Sequence, residues 1–312
     1  MIIQTGMRTD IPAFYAEWLA NRLRAGYVLV RNPYNPVAVT RYSLSPEVVD
    51  AIGFCTKNPE PMLEYLPLLE PYGQYWFVTI TPYGPDIEPN VPPTEAVISS
   101  FRALSAKVGV DSMGWRYDPI LLNGQWTVER HIDAFRHMAA ALEGSTRTCV
   151  ISFIDLYEKV KRNFPEARRV AREQRIAFGR AFAEIAAGHG MTVRACAEGE
   201  ELAAYGVDCG GCLRREDYER ALGCRLRVPK VKGLREGCAC VLGSDIGAYN
   251  TCGHLCRYCY ANADHGAALD NMRAHDPESP LLIGRLLPGD TVRDAKQESW
   301  ACPDEQLSFT FV

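Results

Sequence analysis

At 312 residues, with 47% of them apolar and 23% charged, the chain can bury a sizeable core and reads as a soluble globular protein, not a disordered one. Its formal net charge of -4 is spread along the sequence, which argues against a nucleic-acid or membrane surface. No apolar run is long enough for a membrane span, and Met1 to Asp10 lacks a basic stretch followed by an apolar one, so the expected compartment is the cytoplasm.

Short apolar, β-rich runs alternate with helix-period runs from the first residue onward. The pattern predicts strands at Met1 to Gln4, Tyr27 to Arg31, Ala51 to Cys55, Tyr75 to Thr81, Ser112 to Arg116, Cys149 to Ile154, Thr192 to Cys196 and Ser244 to Tyr249. The first helix has Asp10 as its cap, Pro12 in its opening turn, Phe14, Trp18 and Leu23 as a buried stripe, and Gly26 as its stop. Further helices are expected near Thr94 and Thr127, and a long one from about Glu166 to Gly188. In the last, Arg168, Arg172 and Arg175 read as a solvated face interleaved with Glu173 and Glu184.

Strand-helix alternation of this kind predicts an α/β fold, a (β/α) TIM-like full or partial barrel with parallel strands. The expected organisation is a barrel over 1–196, a Cys-rich insertion over 197–243, the last barrel strand and a cysteine loop over 244–284, and a tail over 285–312. Asn32-Pro33-Tyr34-Asn35-Pro36, Asn58-Pro59 and the stretch from Thr81 to Pro93 follow predicted strands and would lie on the carboxyl-end face. Arg8, Asp10, Lys57, Asn58, Arg116, Asp118, Asp155 and Glu198 would gather there as a polar cavity beneath the cysteine loop.

Of the 12 cysteines, only Cys55 and Cys149 precede residue 190, and in a cytosolic chain of this length such regional use reads as metal ligation, not disulfides. Cys252-Gly253-His254-Leu255-Cys256-Arg257-Tyr258-Cys259 sets three thiols at a C-x3-C-x2-C spacing. That spacing can hold three irons of a cubic 4Fe-4S cluster and leave the fourth iron without a protein ligand, open to a small molecule. An open iron beside an aromatic residue fits S-adenosylmethionine, whose amino and carboxylate groups can chelate iron while its adenine packs on the ring. A closed zinc site completed by His254 or His265 is the alternative; otherwise His254 is expected to face solvent or cofactor.

A second constellation holds Cys196, Cys209, Cys212, Cys224, Cys238 and Cys240 in a segment, Ala197 to Gly243, that lacks a clear amphipathic helix and calls for a metal as organiser. The expected ligands of an auxiliary 4Fe-4S cluster are Cys196, Cys212, Cys238 and Cys240, since Cys196 ends a strand and Gly237-Cys238-Ala239-Cys240 is local; Cys209 could replace Cys212. Structural zinc on Cys209, Cys212, Cys238 and Cys240 is the competing reading. Cys55, Cys149 and Cys224 read as small buried residues, Cys302 as a tail residue without partners, and His131 and His137 as surface or satisfied side chains.

The cysteine loop resembles the radical S-adenosylmethionine superfamily signature, with Tyr258 in the aromatic slot. The whole chain resembles a bacterial domain family of unknown function whose hallmark is a radical-SAM-like cysteine cluster at the carboxyl end. The matching stretches are Arg8-Thr9-Asp10-Ile11-Pro12, Arg31-Asn32-Pro33, Thr56-Lys57-Asn58-Pro59, Trp115-Arg116-Tyr117-Asp118-Pro119 and Asp245-Ile246-Gly247-Ala248-Tyr249-Asn250-Thr251-Cys252. His275-Asp276-Pro277 with Ser279-Pro280 extends the likeness to Gly284.

The superfamily resemblance implies reductive cleavage of S-adenosylmethionine to a 5'-deoxyadenosyl radical, fed by a flavodoxin or ferredoxin-type electron donor and acting on a small-molecule or peptide substrate. It assigns Cys252, Cys256 and Cys259 to the cluster and Tyr258 to the adenine; Arg116 and Asp155 are candidates for the methionine end by their predicted location. Superfamily members carry the loop after the first barrel strand, whereas here it follows the last predicted one, which implies a circular permutation. The rival functions are a zinc-stabilised binding module and a fully ligated iron-sulfur electron carrier or redox sensor.

Overall fold

Burial on both faces marks the central strands: in Thr148–Phe153 every residue is buried, and in Gly73–Thr79 only the first two are not. Such runs suit a parallel sheet covered on each side. In this computed structural model, which describes residues 1–229, 238 and 240–306, the strands in chain order are β1 (Ile2–Gln4), β2 (Tyr27–Asn32), β3 (Asn35–Ser43), β4 (Ala51–Thr56), β5 (Gly73–Thr79) and β6 (Met113–Ile120). They continue as β7 (Thr148–Phe153), β8 (Thr192–Ala195), β9 (Cys224–Leu226), β10 (Ser244–Asp245), β11 (Thr291–Asp294) and β12 (Ala301–Gln306). The α-helices are α1 (Ile11–Phe14), α2 (Ala16–Ala25), α3 (Thr94–Val108), α4 (Val128–Ala141), α5 (Glu158–Asn163), α6 (Arg172–Gly188), α7 (Arg215–Leu222) and α8 (His265–Arg273).

Seven strands form one parallel sheet in the order β10-β1-β4-β5-β6-β7-β8. The order follows the sequence except that β10, the last, pairs with β1, the first, through Ile3 with Ser244 and Gln4 with Asp245. β10 and β8 are its two edges, so the sheet is open and a closed barrel is not formed. Successive residues serve opposite faces. Ile3, Phe54, Trp76, Trp115, Tyr117 and Ile151 point into the main core with Trp18, Phe101, Phe135, Phe178 and Phe182 of the covering helices. Each such side chain contributes roughly 1.5–3 kcal/mol by leaving water.

The other face carries Ile2, Ala51, Tyr75, Phe77 and Val150, covered by Cys212, Leu213, Tyr218 and Leu226 of the Cys-rich segment. That segment was expected to lack both a helix and a core, and it has both. Tyr218 of α7 is fully buried and accepts a 2.8 Å hydrogen bond from Gln4 Nε2. Asp217, also fully buried, accepts from Arg194 Nη1 of β8 at 2.7 Å. The helix is only two turns long, too short for its period to stand out among the surrounding Gly and Arg residues.

Four further expectations are corrected. Tyr27 to Arg31 does not join the parallel sheet: β2 turns back at once into the nine-residue β3, and β11 adds to β3 in a separate sheet. Asn32 makes the turn, its Oδ1 accepting from Tyr34 N at 2.8 Å and Asn35 N at 3.2 Å. The Asn32 to Pro36 stretch is therefore a hairpin turn outside the parallel sheet, since a parallel return needs a crossover far longer than this. The helix expected from Glu166 begins only at Arg172, and α5 stands apart before Pro165. Cys302 is not unpartnered: β12 runs antiparallel to β9, with Cys302 opposite Arg225. Among the described residues no helix is long and apolar enough to cross a membrane.

Candidate active site at the cysteine loop

The loop that follows β10 closes on itself. Asn250 and Leu255 adopt left-handed backbone at φ 54° and 55°, and the Asn250 N–H reaches Ala261 O at 3.2 Å. Asn tolerates that conformation, whereas a Leu held there stores strain that the fold must impose. Asn262 binds the loop across its neck, donating from Nδ2 to Cys252 O at 2.7 Å. Asp264 then caps α8, accepting from Ala267 N at 2.7 Å. Inside this ring Cys256 is buried, and Cys252 and Cys259 are partly so. The N–H groups of Ala261 and Asn262 each reach Cys259 Sγ at 3.3 Å. Burial pushes the Cys252 and Cys256 thiols up, and the loop's neighbouring cysteines add to the effect, so the three interact electrostatically. Ligation to a metal would reverse that preference, because ligand thiols must lose their protons. The donor set and its enclosure fit a sulfur-ligated cluster.

The amino-terminal half of the chain grips the loop. Tyr15 Oη donates to Thr251 O at 2.6 Å, Asn90 Nδ2 to Gly253 O at 2.8 Å, and Tyr260 Oη to Met7 O at 2.6 Å. His254, expected to face solvent or cofactor, points inward instead and is 2% exposed. Its Nε2 lies 2.9 Å from Asp10 Oδ2, its Nδ1 3.2 Å from Asn90 O, and its ring 4.6 Å from that of Phe14. His265 opens α8, after the loop has ended.

Tyr258 is anchored through its hydroxyl to Glu88 Oε1. The same oxygen accepts from Lys57 Nζ at 2.9 Å and from Thr81 Oγ1 at 2.7 Å, and Lys57 Nζ stands 5.7 Å from the centroid of the Tyr258 ring. Burial opposes the Lys57 charge, but Glu88, with Cys256 and Asp118 adding to it, holds the ammonium above its ordinary pKa. Glu88 was not singled out in the sequence, where it is one acid in a Pro-rich stretch.

Deeper along the sheet, Arg116 Nε reaches Asp118 Oδ2 at 3.1 Å, and Ser152 Oγ donates to Asp118 Oδ1. Arg116 Nη1 lies 3.8 Å from Cys212 Sγ, so this guanidinium serves the second thiol group. There Cys212 Sγ is 3.0 Å from Cys240 Sγ and 3.5 Å from Cys196 Sγ. Cys238 interacts electrostatically with Cys240; Gly237 and Ala239 on either side of it lie outside the described residues. Cys209 is turned away, its Sγ 3.7 Å from Val207 O. Among the described residues no three His, Cys, Asp or Glu side chains meet in the arrangement that one metal ion requires.

The remaining predicted residues fall at the margin. Asp155 is exposed and accepts from Tyr157 Oη at 3.2 Å. Glu198 accepts from Phe153 N at 2.9 Å and pairs with Arg175 at 2.8 Å, with burial pushing its pKa up to about 7. Arg175 and Arg172 pair with Glu198 and Glu201, not with the helix's own acids. Arg8 Nε binds Asp245 Oδ1 at 2.7 Å, and Asn58 shapes a turn, accepting from Glu60 N at 3.3 Å. His131 is buried and satisfied and His137 exposed, as expected. A cleft of about 680 Å³ opens on the outer helices beside Glu95, Arg102 and Ser145, and none of the thiols lines it.

A family model described as a domain of unknown function (DUF1848) matches residues 2–261. The match takes in the whole parallel sheet and all three loop cysteines, and it stops before α8, so His275 to Pro280 lie outside it although the resemblance was expected to reach Gly284. No curated protein and no solved structure matches the chain.

Proposed function

We propose, for a chain that belongs to the DUF1848 family, that it is a radical S-adenosylmethionine enzyme whose 4Fe-4S cluster is held by Cys252, Cys256 and Cys259. The observation that carries this reading is three buried or half-buried thiols in one self-closed loop at the carboxyl end of a parallel sheet. The chemistry such a cluster supplies is one-electron cleavage of the sulfonium, giving methionine and a 5'-deoxyadenosyl radical that takes hydrogen from a substrate.

In this reading the chain's own residues bind and orient. Asn262, Asn90, Tyr15 and the His254–Asp10 pair fix the loop, so the thiols are held in place before any metal arrives. Tyr258, locked by Glu88, offers its ring to the adenine, and Lys57 beside it supplies a cation near the cofactor. Of the two residues proposed for the methionine end, Asp155 is kept, while Arg116 turns instead to Cys212 of the second thiol group. The open sheet is taken as a partial (β/α) barrel, circularly permuted relative to the superfamily. Pairing of β10 with β1 supports this, because it sets the cysteine loop beside the first strand. A flavodoxin or ferredoxin-type protein would supply the electron, and the cytoplasm would keep the thiols reduced.

Protein reconstituted without oxygen with iron and sulfide, then given dithionite and S-adenosylmethionine, is expected to release 5'-deoxyadenosine. Absence of cleavage from a fully loaded cluster rejects the proposal.

A further inference from the structure

Cys212 Sγ lies 3.0 Å from Cys240 Sγ on the sheet face that α7 covers, with Cys196 Sγ at 3.5 Å on its other side. Thiols bound to separate irons of a cube stand much farther apart than this, and among the described residues no group of three side chains could hold a single metal ion. The cysteines expected to hold an auxiliary cluster are therefore not spread as its ligands. Two of them touch each other instead, at a separation from which a disulfide forms by closing to about 2.05 Å.

The scaffold builds this contact. Val241 N donates to Leu213 O at 2.9 Å, so the backbones run side by side one residue beyond each cysteine. Leu213 packs onto the sheet with Tyr218, and Arg214 N reaches Asp217 Oδ2 at 2.8 Å, the same oxygen that Arg194 grips. The two thiols also differ in access and in charge. Cys240 is half-buried, open enough for a small reagent to reach, whereas Cys212 is 5% exposed and sheltered behind it. Arg116, whose side chain is only 13% exposed, turns Nη1 to Cys212 Sγ at 3.8 Å. A cation in that place favours the thiolate, which is the form that attacks a disulfide.

We propose that Cys212 and Cys240 form a reversible disulfide by exchange with a low-molecular-weight disulfide. Cys240 attacks one sulfur of the reagent, which leaves as a thiol and carries away the Cys240 proton. Cys212, beside Arg116, then attacks Cys240 Sγ in the mixed disulfide and expels the second half of the reagent, which takes the Cys212 proton. Two protein thiols are oxidised and one small disulfide is reduced to two thiols, so the exchange balances with no other reactant. The bond fastens the stretch before α7 to the stretch before β10. Disulfides inside cells are usually transient and redox-sensing, and a pair poised in contact suits that use. This site shares no residue with the cysteine loop and stands or falls independently of S-adenosylmethionine cleavage.

The test is to treat the folded full chain, purified without oxygen, with oxidised glutathione, to quench free thiols and to map the joined peptides by tandem mass spectrometry. The wild type is expected to show Cys212 bonded to Cys240, with a loss of about 2 Da and no glutathione retained on either, and dithiothreitol is expected to restore both thiols. Cys212→Ser removes the resolving thiol and is expected to stop at the mixed disulfide, with one glutathione held on Cys240. A bond that joins other cysteines in place of this pair, metal found on Cys212 and Cys240, or both sulfurs still free in the folded wild type overturns the proposal. Should Cys212→Ser fail to fold, the wild-type map decides alone: the Cys212 to Cys240 bond supports the site, and its absence overturns it.

Discussion

Asp10 Oδ2 lies 2.9 Å from His254 Nε2, although 244 residues separate the two along the chain. The same carboxylate caps α1 through Ala13 N at 3.1 Å and accepts from Lys57 N at 2.8 Å. One buried side chain therefore sets the start of the first helix, the loop after β4 and the inner side of the cysteine loop. Asp10→Ala removes all three contacts and is expected to destabilise the protein by about 3 kcal/mol, the cap supplying about 1 kcal/mol and the orphaned histidine and amide the rest. Asp10→Asn keeps an acceptor for the cap and is expected to lose less. Urea unfolding of the three proteins checks the order; equal losses would mean that the cap contributes nothing.

Lys57 and Glu88 form a buried ion pair at 2.9 Å, with the Glu88 side chain 1% exposed. Removing one partner strands the other, so Lys57→Met and Glu88→Gln are each expected to cost about 3–5 kcal/mol. The double variant Lys57→Met/Glu88→Gln strands no charge and is expected to cost less than the sum of the two, with a coupling of at least about 1 kcal/mol in a double-mutant cycle. Additive losses would show that the two charges do not depend on each other. In S-adenosylmethionine titrations of the reconstituted protein, Glu88→Ala is further expected to weaken binding, because Tyr258 loses its anchor.

Much of this architecture was legible because the parallel strands are short apolar runs with both faces buried, as in β5 and β7. β3 escaped because most of its residues are exposed or half-exposed, leaving no alternation to read, and because Pro36 sits inside it. The cysteine loop announced itself through local spacing alone. Its supports were legible only in part: Asp10 is expected beneath the loop from chain position, but its contact with His254, and the whole role of Glu88 at Tyr258, arise through tertiary contacts 244 and 170 residues apart. The second thiol group lay between these cases. Chain position points to Cys196, at a strand end, and to the local pair Cys238 and Cys240, but leaves Cys209 as an alternative to Cys212; it is the packing of Leu213, Tyr218 and Leu226 onto the sheet that brings Cys196, Cys212 and Cys240 together.

Gly6 precedes the turn into α1 and passes directly over β4. A Cβ there would stand 2.1 Å from the Cys55 carbonyl oxygen, and that backbone is pinned by the pairing of Cys55 with Phe77. Gly6→Ala is therefore expected to cost about 3 kcal/mol, the upper range for overpacking against atoms that cannot move aside. Gly124→Ala, where a Cβ meets nothing within 4 Å, is the control and is expected to stay within about 0.5 kcal/mol of the wild type. Thermal melts of the two variants check the contrast; a Gly6→Ala protein as stable as the control would show that β4 yields.

His131 is fully buried, its Nε2 2.8 Å from Leu121 O and its Nδ1 2.6 Å from Tyr117 Oη. The neutral ring satisfies both contacts, with Nε2 donating to the carbonyl and Nδ1 accepting from the hydroxyl. Burial pushes its pKa down to about 4 from an ordinary 6.5. As pH falls from about 6.5 toward 4, the unfolded chain takes up a proton that the folded one refuses, so stability is lost across that window and is fully present above it. The depressed value corresponds to a loss on the order of 3 kcal/mol. His131→Gln is expected to lower stability at neutral pH and to flatten the dependence between pH 7 and pH 4 relative to the wild type. Urea midpoints at a series of pH values read this directly, and an unchanged slope in the variant would show that the acid sensitivity arises elsewhere.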